Sequence, residues 1–391
     1  QKLKGSIEKL FSQLVEMMVD LDLISLEKQF IDGTKIEANA HKYSFVWKKS
    51  VEKNKAKLHQ KINTVLSEIG QAIESDLIHT QNQEEITIDS QKLEEKIQAI
   101  NQNTKTAFLS KKQKKTVEKL EKEQLPKLQE YEKHLENLGD RNSYSKIDTD
   151  ATFMRMKEDH MKNGQLKAAY NVQISTENQI ITHFSVHQKS TDFTTLESHL
   201  EGFKNAYDKT SKQIIADAGY GSEENYQMLE QQQMEFFIPY NMYKIKKKRK
   251  HKNNLFHTQN LYHNIELDFL VCPMGQRMEK IYTKESKTTT GFLQQHSVYQ
   301  AQNCQGCPMR GQCFNAKGNR RIEINHNLQR LKAKARENLE NKEGKEIYAK
   351  RCIEPEPVFG NIKQNKHFKR FSLRKLTKIN IEFGLVAIAH N

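Results

Sequence analysis

The chain has 391 residues, 36% hydrophobic and 29% charged, which suits two or three compact units better than one small domain. No stretch approaches the roughly 18–20 consecutive apolar residues of a membrane span. No apolar run follows the opening Gln1-Lys2-Leu3-Lys4 to make a signal peptide, so a soluble cytoplasmic protein is expected. Lys and Arg number 63 against 49 Asp and Glu, a formal charge of +14. That excess points to a polyanionic partner, nucleic acid first, although a basic protein without such a partner shares the composition. Five cysteines are too few and too clustered for a disulfide framework, and a C-x-x-C in an intracellular chain favours metal. Opening on Gln and stopping at Ala389-His390-Asn391, the chain reads as a fragment.

In chain order, residues 1–28 form a helix: Leu3, Ile7, Leu10, Phe11, Leu14 and Met18 recur at three- and four-residue steps. The stretch Gln29-Phe30-Ile31-Asp32-Gly33-Thr34-Lys35-Ile36 reads as a strand that ends or bends near Asp32. From 50 to 140 Lys, Glu and Gln dominate. Leu58, Ile62, Val65, Ile69, Ile73 and Leu77 make one helical stripe, and Val117, Leu120, Leu128, Tyr131, Leu135 and Leu138 another. With a polar break from Thr80 to Ser90, this is a helical hairpin inserted into something else.

Beyond 165 the pattern turns to strands. Leu166–Ile174 and Ile180–Val186 form a hairpin around Thr176–Gln179, and Asp192–Tyr207 follows as a helix with Phe193, Leu196, Leu200 and Phe203 inward. Gln213–Ala216 is a short buried strand ending at Asp217-Ala218-Gly219-Tyr220-Gly221-Ser222, with Ser222 the N-cap of the next helix. Met234–Ile238 is a strand stopped by Pro239. A basic block at 244–252 either grips DNA or is a solvated loop. With the helical insertion set aside, the expected fold class is α/β, an RNase H-like mixed sheet interrupted by a helical hairpin and by a cysteine-containing insertion. The expected regions are 1–49 (first helix and strand), 50–147 (helical insertion), 148–243 (core), 244–345 (basic loop and zinc-knuckle insertion) and 346–391 (last helix and end of the core).

Asp32 and Asp217 each stand at the end of a core strand, and adjacent strand ends would bring the two carboxylates together. Facing carboxylates repel unless a divalent cation sits between them, and Mg²⁺ prefers such oxygen ligands. Two ions about 3.5–4 Å apart would activate an attacking oxygen and stabilise a leaving one in phosphodiester chemistry. Either Asp alone reads as a turn residue; the pair and its flanking sequence favour the site.

That flanking sequence, from Phe30 through Trp47-Lys48, resembles the first catalytic block of bacterial insertion-sequence DDE transposases. So do Asp148-Thr-Asp-Ala-Thr-Phe-Met-Arg-Met-Lys157 with Gly164–Gln173, Ala216–Ser222, and Glu354-Pro-Glu-Pro-Val-Phe-Gly-Asn-Ile-Lys363, all in family order. The resemblance implies an RNase H-like core and a metal triad of Asp32, Asp217 and a Glu using Mg²⁺ or Mn²⁺. It also implies cleavage of double-stranded DNA at transposon ends, strand transfer into target DNA, and a homodimer in the DNA complex.

Relatives place a Tyr and an Arg before the acidic residue and a Lys seven positions after it. Tyr348, Arg351, Glu356 and Lys363 follow that order, with Arg351 one residue further from Glu356 than usual, and Glu356 is preferred to Glu354. Pro355 and Pro357 start a helix here, which puts Glu356 in a first turn whose dipole favours a carboxylate. Lys363, Lys366, His367, Lys369, Arg370 and Arg374 continue along that helix and beyond, where they would hold DNA phosphates or form a solvated face. Cys272, Cys304, Cys307 and Cys313 make a C-x₃₁-C-x₂-C-x₅-C set that can satisfy a structural tetrahedral Zn²⁺; the alternative is unliganded thiols. Cys352 and Trp47 read as core residues. No histidine has a partner spaced for nucleophilic catalysis. An RNase H-like nuclease without strand transfer, or a decayed DNA-binding remnant, would share most of these features.

Overall fold

The computed structural model describes residues 5–73, 88–103, 111–156 and 164–391. Leu3, Leu77, the side chain of Ile73, most of the Thr80–Ser90 break and Lys157 lie outside the described residues. Helix α1 (Ile7–Asp20) buries Ile7, Phe11, Val15 and Met18 on one stripe and leaves Leu10 exposed. It stops earlier than its periodicity suggests, in a turn where Asp22 and Leu26 adopt positive φ. Strand β1 (Lys28–Glu37) then runs straight through Asp32 and Gly33 instead of ending there.

A short ribbon of β2 (Phe45–Trp47) and β3 (Ser143–Ser145), paired Trp47 to Ser143, roots the helical region. Between them lie α2 (Lys48–Ile73), α3 (Ser90–Asn103), α4 (Lys111–Lys119) and α5 (Leu125–Leu138). Leu58, Ile62 and Leu66 of α2 share a core with Leu93, Ile97 and Ile100 of α3 and Leu120 and Leu128. The region therefore has three helical arms, not the two of a hairpin, because α3 contributes a full apolar stripe of its own. The third arm passes from α4 to α5 through a π-turn, Leu120–Gln124. Pro126 follows directly; its missing N–H removes one i→i−4 bond, and the wider turn absorbs the gap.

The central sheet is built from β1, β4 (Thr152–Arg155), β5 (Leu166–Glu177), β6 (Ile180–His187), β7 (Gln213–Ala216) and β8 (Glu235–Phe237). Strand β5 lies antiparallel to β1 on one side and to β6 and β4 on the other, while β7 and β8 extend the far side in parallel. The β5–β6 hairpin turns at Asn178 and Gln179, both at positive φ, as a two-residue loop requires. Helices α6 (Leu196–Tyr207) and α7 (Glu223–Gln231) make the crossovers, and Ser222 Oγ caps α7 by accepting from Asn225 N at 3.1 Å.

Two one-turn helices, α8 (Tyr243–Lys246) and α9 (Arg249–Lys252), lead to a second, antiparallel sheet. It comprises β9 (Tyr262–Asn264), β10 (Phe269–Val271), β11 (Arg277–Lys287), β12 (Leu293–Ala301) and, after the turn α10 (Arg310–Cys313), β13 (Arg321–Ile324). Finally α11 (His326–Glu340), α12 (Lys342–Ala349), α13 (Pro355–Gly360) and α14 (Leu376–His390) return to the central sheet. Alternation along the strands separates its faces: Ile31, Ile214 and Phe236 pack with Leu229 and Leu331, whereas Phe30, Ile215 and Phe237 pack with Leu339 and Ile347. Among the described residues no helix is long and apolar enough to cross a membrane.

Candidate active site

The β1–β7 register ends with Ile31 opposite Ala216. Asp32 and Asp217 are the next residues on each chain, so the ladder delivers them side by side. Because side chains two apart share a face, Asp32 follows Phe30 and Asp217 follows Ile215 toward the face covered by α12 and α13. That cover supplies the remaining groups. Beyond α12 the chain makes a 3-10 turn, Lys350–Ile353, that carries Arg351, then enters α13 at Pro355. Pro355, Val358, Phe359 and Ile362 are buried at helical spacing, which turns Glu356 outward to the carboxylate side.

Arg351 stands in the middle. Its Nη2 lies 3.5 Å from Asp32 Oδ1 and 3.7 Å from Asp217 Oδ2, and its Nη1 lies 3.5 Å from Glu356 Oε1. One guanidinium therefore bridges all three carboxylates. The Asp32 and Arg351 side chains are 12% and 15% exposed, Asp217 35% and Glu356 51%. Burial works against the Arg351 charge, but Asp32 and Asp217 outweigh it and raise its pKa above the usual value. Arg351 Nε is buried and makes no hydrogen bond. Glu354 faces elsewhere: its Oε2 accepts from Gln179 N at 2.9 Å in the β5–β6 turn, and burial pushes its carboxyl upward.

Beneath the carboxylates lies a polar network that sequence reading missed. Asn171, Gln173 and Ser175 alternate on β5 and are fully buried. Asp192 Oδ1 accepts from Asn171 Nδ2 at 2.8 Å and from Gln173 Nε2 at 3.1 Å, and the Tyr220 hydroxyl donates to Gln173 Oε1. Tyr220 closes the turn that begins with Asp217, whose Oδ1 accepts from Gly219 N at 2.7 Å. The network thus ties the Asp217 turn to the strand beside Asp32. A Cβ on Gly33 would collide with Gln173 Nε2 and lie 2.8 Å from Asp192 Oδ1. Gly33 therefore marks a close approach rather than a strand end. Three polar residues at i, i+2 and i+4 of an otherwise apolar strand were the available signal.

The expected DNA-contacting residues scatter. Tyr348 is half-buried beside the site; burial raises its hydroxyl pKa, with Arg351 opposing and Asp217 reinforcing. Lys363 is 8% exposed and its Nζ donates to Lys35 O at 3.1 Å, so its charge points into the β1 edge rather than outward. Lys366 donates to Ala389 O at the end of α14. Arg370 donates to Ala40 O at 3.2 Å and Arg374 to Asn39 O at 2.9 Å. These basic residues run beyond the helix that begins at Pro355. A π-turn, Asn361–Asn365, ends it, His367 takes a positive φ, and beyond it Glu37 N donates to Lys369 O while Phe371 N donates to Glu37 O.

Cys272, Cys304, Cys307 and Cys313 line one cavity of ≈20 Å³ and form no disulfide. Two tight turns hold them, with Gly275 and Gly306 at positive φ. Arg310 clamps the intervening loop through the carbonyls of Cys304, Ala316 and Lys317. Arg320 N lies 3.3 Å from Cys304 Sγ and Arg320 Nη1 lies 3.0 Å from Cys313 Sγ. Cys352 is exposed rather than a core residue, because it sits on the outer side of the 3-10 turn. Trp47 packs against Phe45 and Phe153. Among the described residues no group of three or more His, Cys, Asp or Glu is drawn together as a ready metal cage.

Acidic groups thus converge at adjacent strand ends of a mixed α/β chain. Residues 271–391 match the family model described as a transposase DDE domain. The match covers most of the second sheet and the helices that carry Arg351 and Glu356, while Asp32 and Asp217 lie outside it. No curated protein and no solved structure matches the chain.

Proposed function

We propose that this chain is the catalytic portion of a cytoplasmic DNA transposase that cuts at transposon ends and transfers the freed strand into target DNA. The carrying observation is the meeting of Asp32, Asp217 and Glu356 around one guanidinium. The sheet order, three antiparallel strands continued by two parallel ones on β1, supports an RNase H-like core.

The three carboxylates offer hard oxygen donors where a cation already sits, so they suit Mg²⁺ or Mn²⁺. Bound there, such ions would supply activation of the attacking oxygen and stabilisation of the leaving one. The chain's own part is to place and balance charge. Asp32 and Asp217 are fixed by the strand register, and the Asn171–Asp192–Gln173–Tyr220 network holds the Asp217 turn. Arg351, with an unused Nε, can pass from the carboxylates to a substrate phosphate through a planar donor fork. The four cysteines would hold a structural Zn²⁺ that fixes the second sheet, and double-stranded DNA with two ends to pair calls for a homodimer.

The test is cleavage of a labelled duplex bearing candidate element ends in Mg²⁺ or Mn²⁺, comparing the natural protein with Asp217→Ala. Metal-dependent nicking lost in the variant, with joined product, supports the proposal. Nicking without any joining would reduce it to a nuclease, and no cleavage under either metal would refute it.

A further inference from the structure

Tyr240 lies just beyond β8, at the end of the sheet where β7 delivers Asp217. Its buried ring is surrounded by cations. Lys246 Nζ stands 5.2 Å from the ring centroid, Lys332 Nζ 5.6 Å and the Arg336 guanidinium 5.9 Å, and Arg336 Nη2 donates to the Tyr240 hydroxyl at 2.7 Å. Lys332 and Arg336 are one turn apart on α11, so the helix presents them together. Among the described residues none of the three forms an ion pair with a carboxylate. The nearest acids are committed: Glu340 pairs with Lys247 at 3.0 Å, and Glu223 accepts from Asn325 and Asn327.

Three like charges held around one phenol repel one another, offset in part by their contacts with the ring and by the Arg336 hydrogen bond to Tyr240, which raises the Arg336 pKa. Burial and the neighbouring cations lower the Lys246 ammonium below its usual pKa, and burial lowers that of Lys332. An open cavity of ≈270 Å³ is lined by Tyr240, Lys246, Lys247, Lys252, Arg336 and the Lys247-paired Glu340, while Lys332 borders the Tyr240 ring outside that lining. Its polar, cationic wall suits an anion with several acceptor oxygens.

We infer that Lys246, Lys332 and Arg336 around Tyr240 form a phosphate-binding site for the nucleic-acid backbone, separate from the carboxylate site and continuous with it. This rests on the DNA-cutting reading above. Continuity comes from the sheet. From β1 to β8 is two strand spacings, about 10 Å, and Gly221 packs its bare α-carbon against Pro239 O and Tyr240. Tyr240 itself packs with Leu331 and Ala335 on the face of Ile214 and Phe236, and Tyr243, its ring 5.3 Å from that of Tyr240, reaches round to the patch of Ile215 and Phe237 on the carboxylate side. At about 3.4 Å of axis per nucleotide, a strand cut at the carboxylates reaches Tyr240 roughly three nucleotides away. The site therefore engages the flank of the scissile phosphate.

The experiment is a salt titration of duplex binding by the full chain, read by fluorescence anisotropy without divalent metal. Natural protein, Lys332→Gln/Arg336→Gln, Lys246→Gln and Asp217→Asn are compared, with thermal melting of each and of each in inorganic phosphate. The double variant should bind about tenfold or more weakly near 0.1 M salt, with the log–log salt slope reduced by about two, and Lys246→Gln should reduce it by about one. Lys246→Gln should melt close to the natural protein, whereas the double variant also loses the Arg336–Tyr240 hydrogen bond and should melt somewhat lower. Unchanged affinity and slope in both variants, while the natural protein and Asp217→Asn bind, would overturn the site and leave the DNA reading standing. A phosphate-dependent rise in melting that the variants lose, without any change in DNA binding, would overturn it in favour of a free-phosphate site. If the natural protein binds no duplex at all, the DNA reading falls and this site falls with it. Should the double variant fail to fold, Lys246→Gln, on the exposed one-turn helix, decides alone.

Discussion

Removing the guanidinium of Arg351 should destabilise the metal-free protein and sharpen its response to metal. At 3.5 Å from Asp32 and an effective dielectric of about 20, one such pair attracts by roughly 4–5 kcal/mol before desolvation. Asp32 and Arg351 are both largely buried, and stripping one partner from such a pair costs about 3–5 kcal/mol. Asp217 and Glu356 are more exposed and add at most about 1 kcal/mol each. We expect Arg351→Ala to lower stability in EDTA by about 3–5 kcal/mol. The variant no longer makes a divalent ion compete with an internal cation, so Mn²⁺ should bind about tenfold to a hundredfold more tightly, each tenfold being about 1.4 kcal/mol. Chemical denaturation in EDTA and direct Mn²⁺ titration measure both. A variant that unfolds like the natural protein in EDTA and binds Mn²⁺ no better would refute the idea that Arg351 stands where metal must go.

Glu356→Gln should abolish cleavage with little change in stability, because the side chain is half-exposed, whereas Glu354→Gln should keep cleavage; the opposite pattern would exchange their roles. Tyr220→Phe leaves Gln173 Oε1 buried without its donor, so a loss of about 1–3 kcal/mol is expected, with cleavage reduced through the displaced Asp217 turn. Denaturant unfolding and turnover on the same sample would test that link, and loss of stability with full turnover would break it. Burial lowers His183 to about 3 and His187 to about 4, and holds His199 well below its usual value. Since these groups bind protons more readily when unfolded, stability is complete above about pH 6.5 and falls as pH drops below it, by on the order of 1 kcal/mol per histidine per pH unit. Equal unfolding midpoints at pH 7.5 and pH 5 would contradict this.

The sequence was most readable where local chemistry decides structure. Gln213–Ala216, the Ser222 cap and the turn at Asn178-Gln179 appear where β-branched runs, capping residues and turn residues put them. It was least readable where a distant partner decides. Gly33 looks like a strand break until Gln173 and Asp192 are seen against it. The second sheet escaped notice because β11 is mostly exposed and polar, so no apolar alternation marks it. Lys363 reads as a solvent-facing base in the sequence, yet it is buried and donates to the Lys35 carbonyl. The approach of the candidate acids was legible in outline from strand ends, but the guanidinium among them needs a chain reversal after α12 that no spacing encodes.

The ribbon of β2 and β3 has a bearing on how such a chain can change over time. Lys48 N accepts no detour before meeting Asn142 O, to which it donates at 2.9 Å, so the helical region leaves and re-enters through neighbouring residues. Its three arms close on their own apolar core, and a two-residue hairpin could span the same gap. Everything between those two points can therefore lengthen, shorten or be exchanged without shifting the strand register that sets Asp32 beside Asp217. The region is a replaceable cassette, free to acquire new surfaces while Asp32 and Asp217 keep their places.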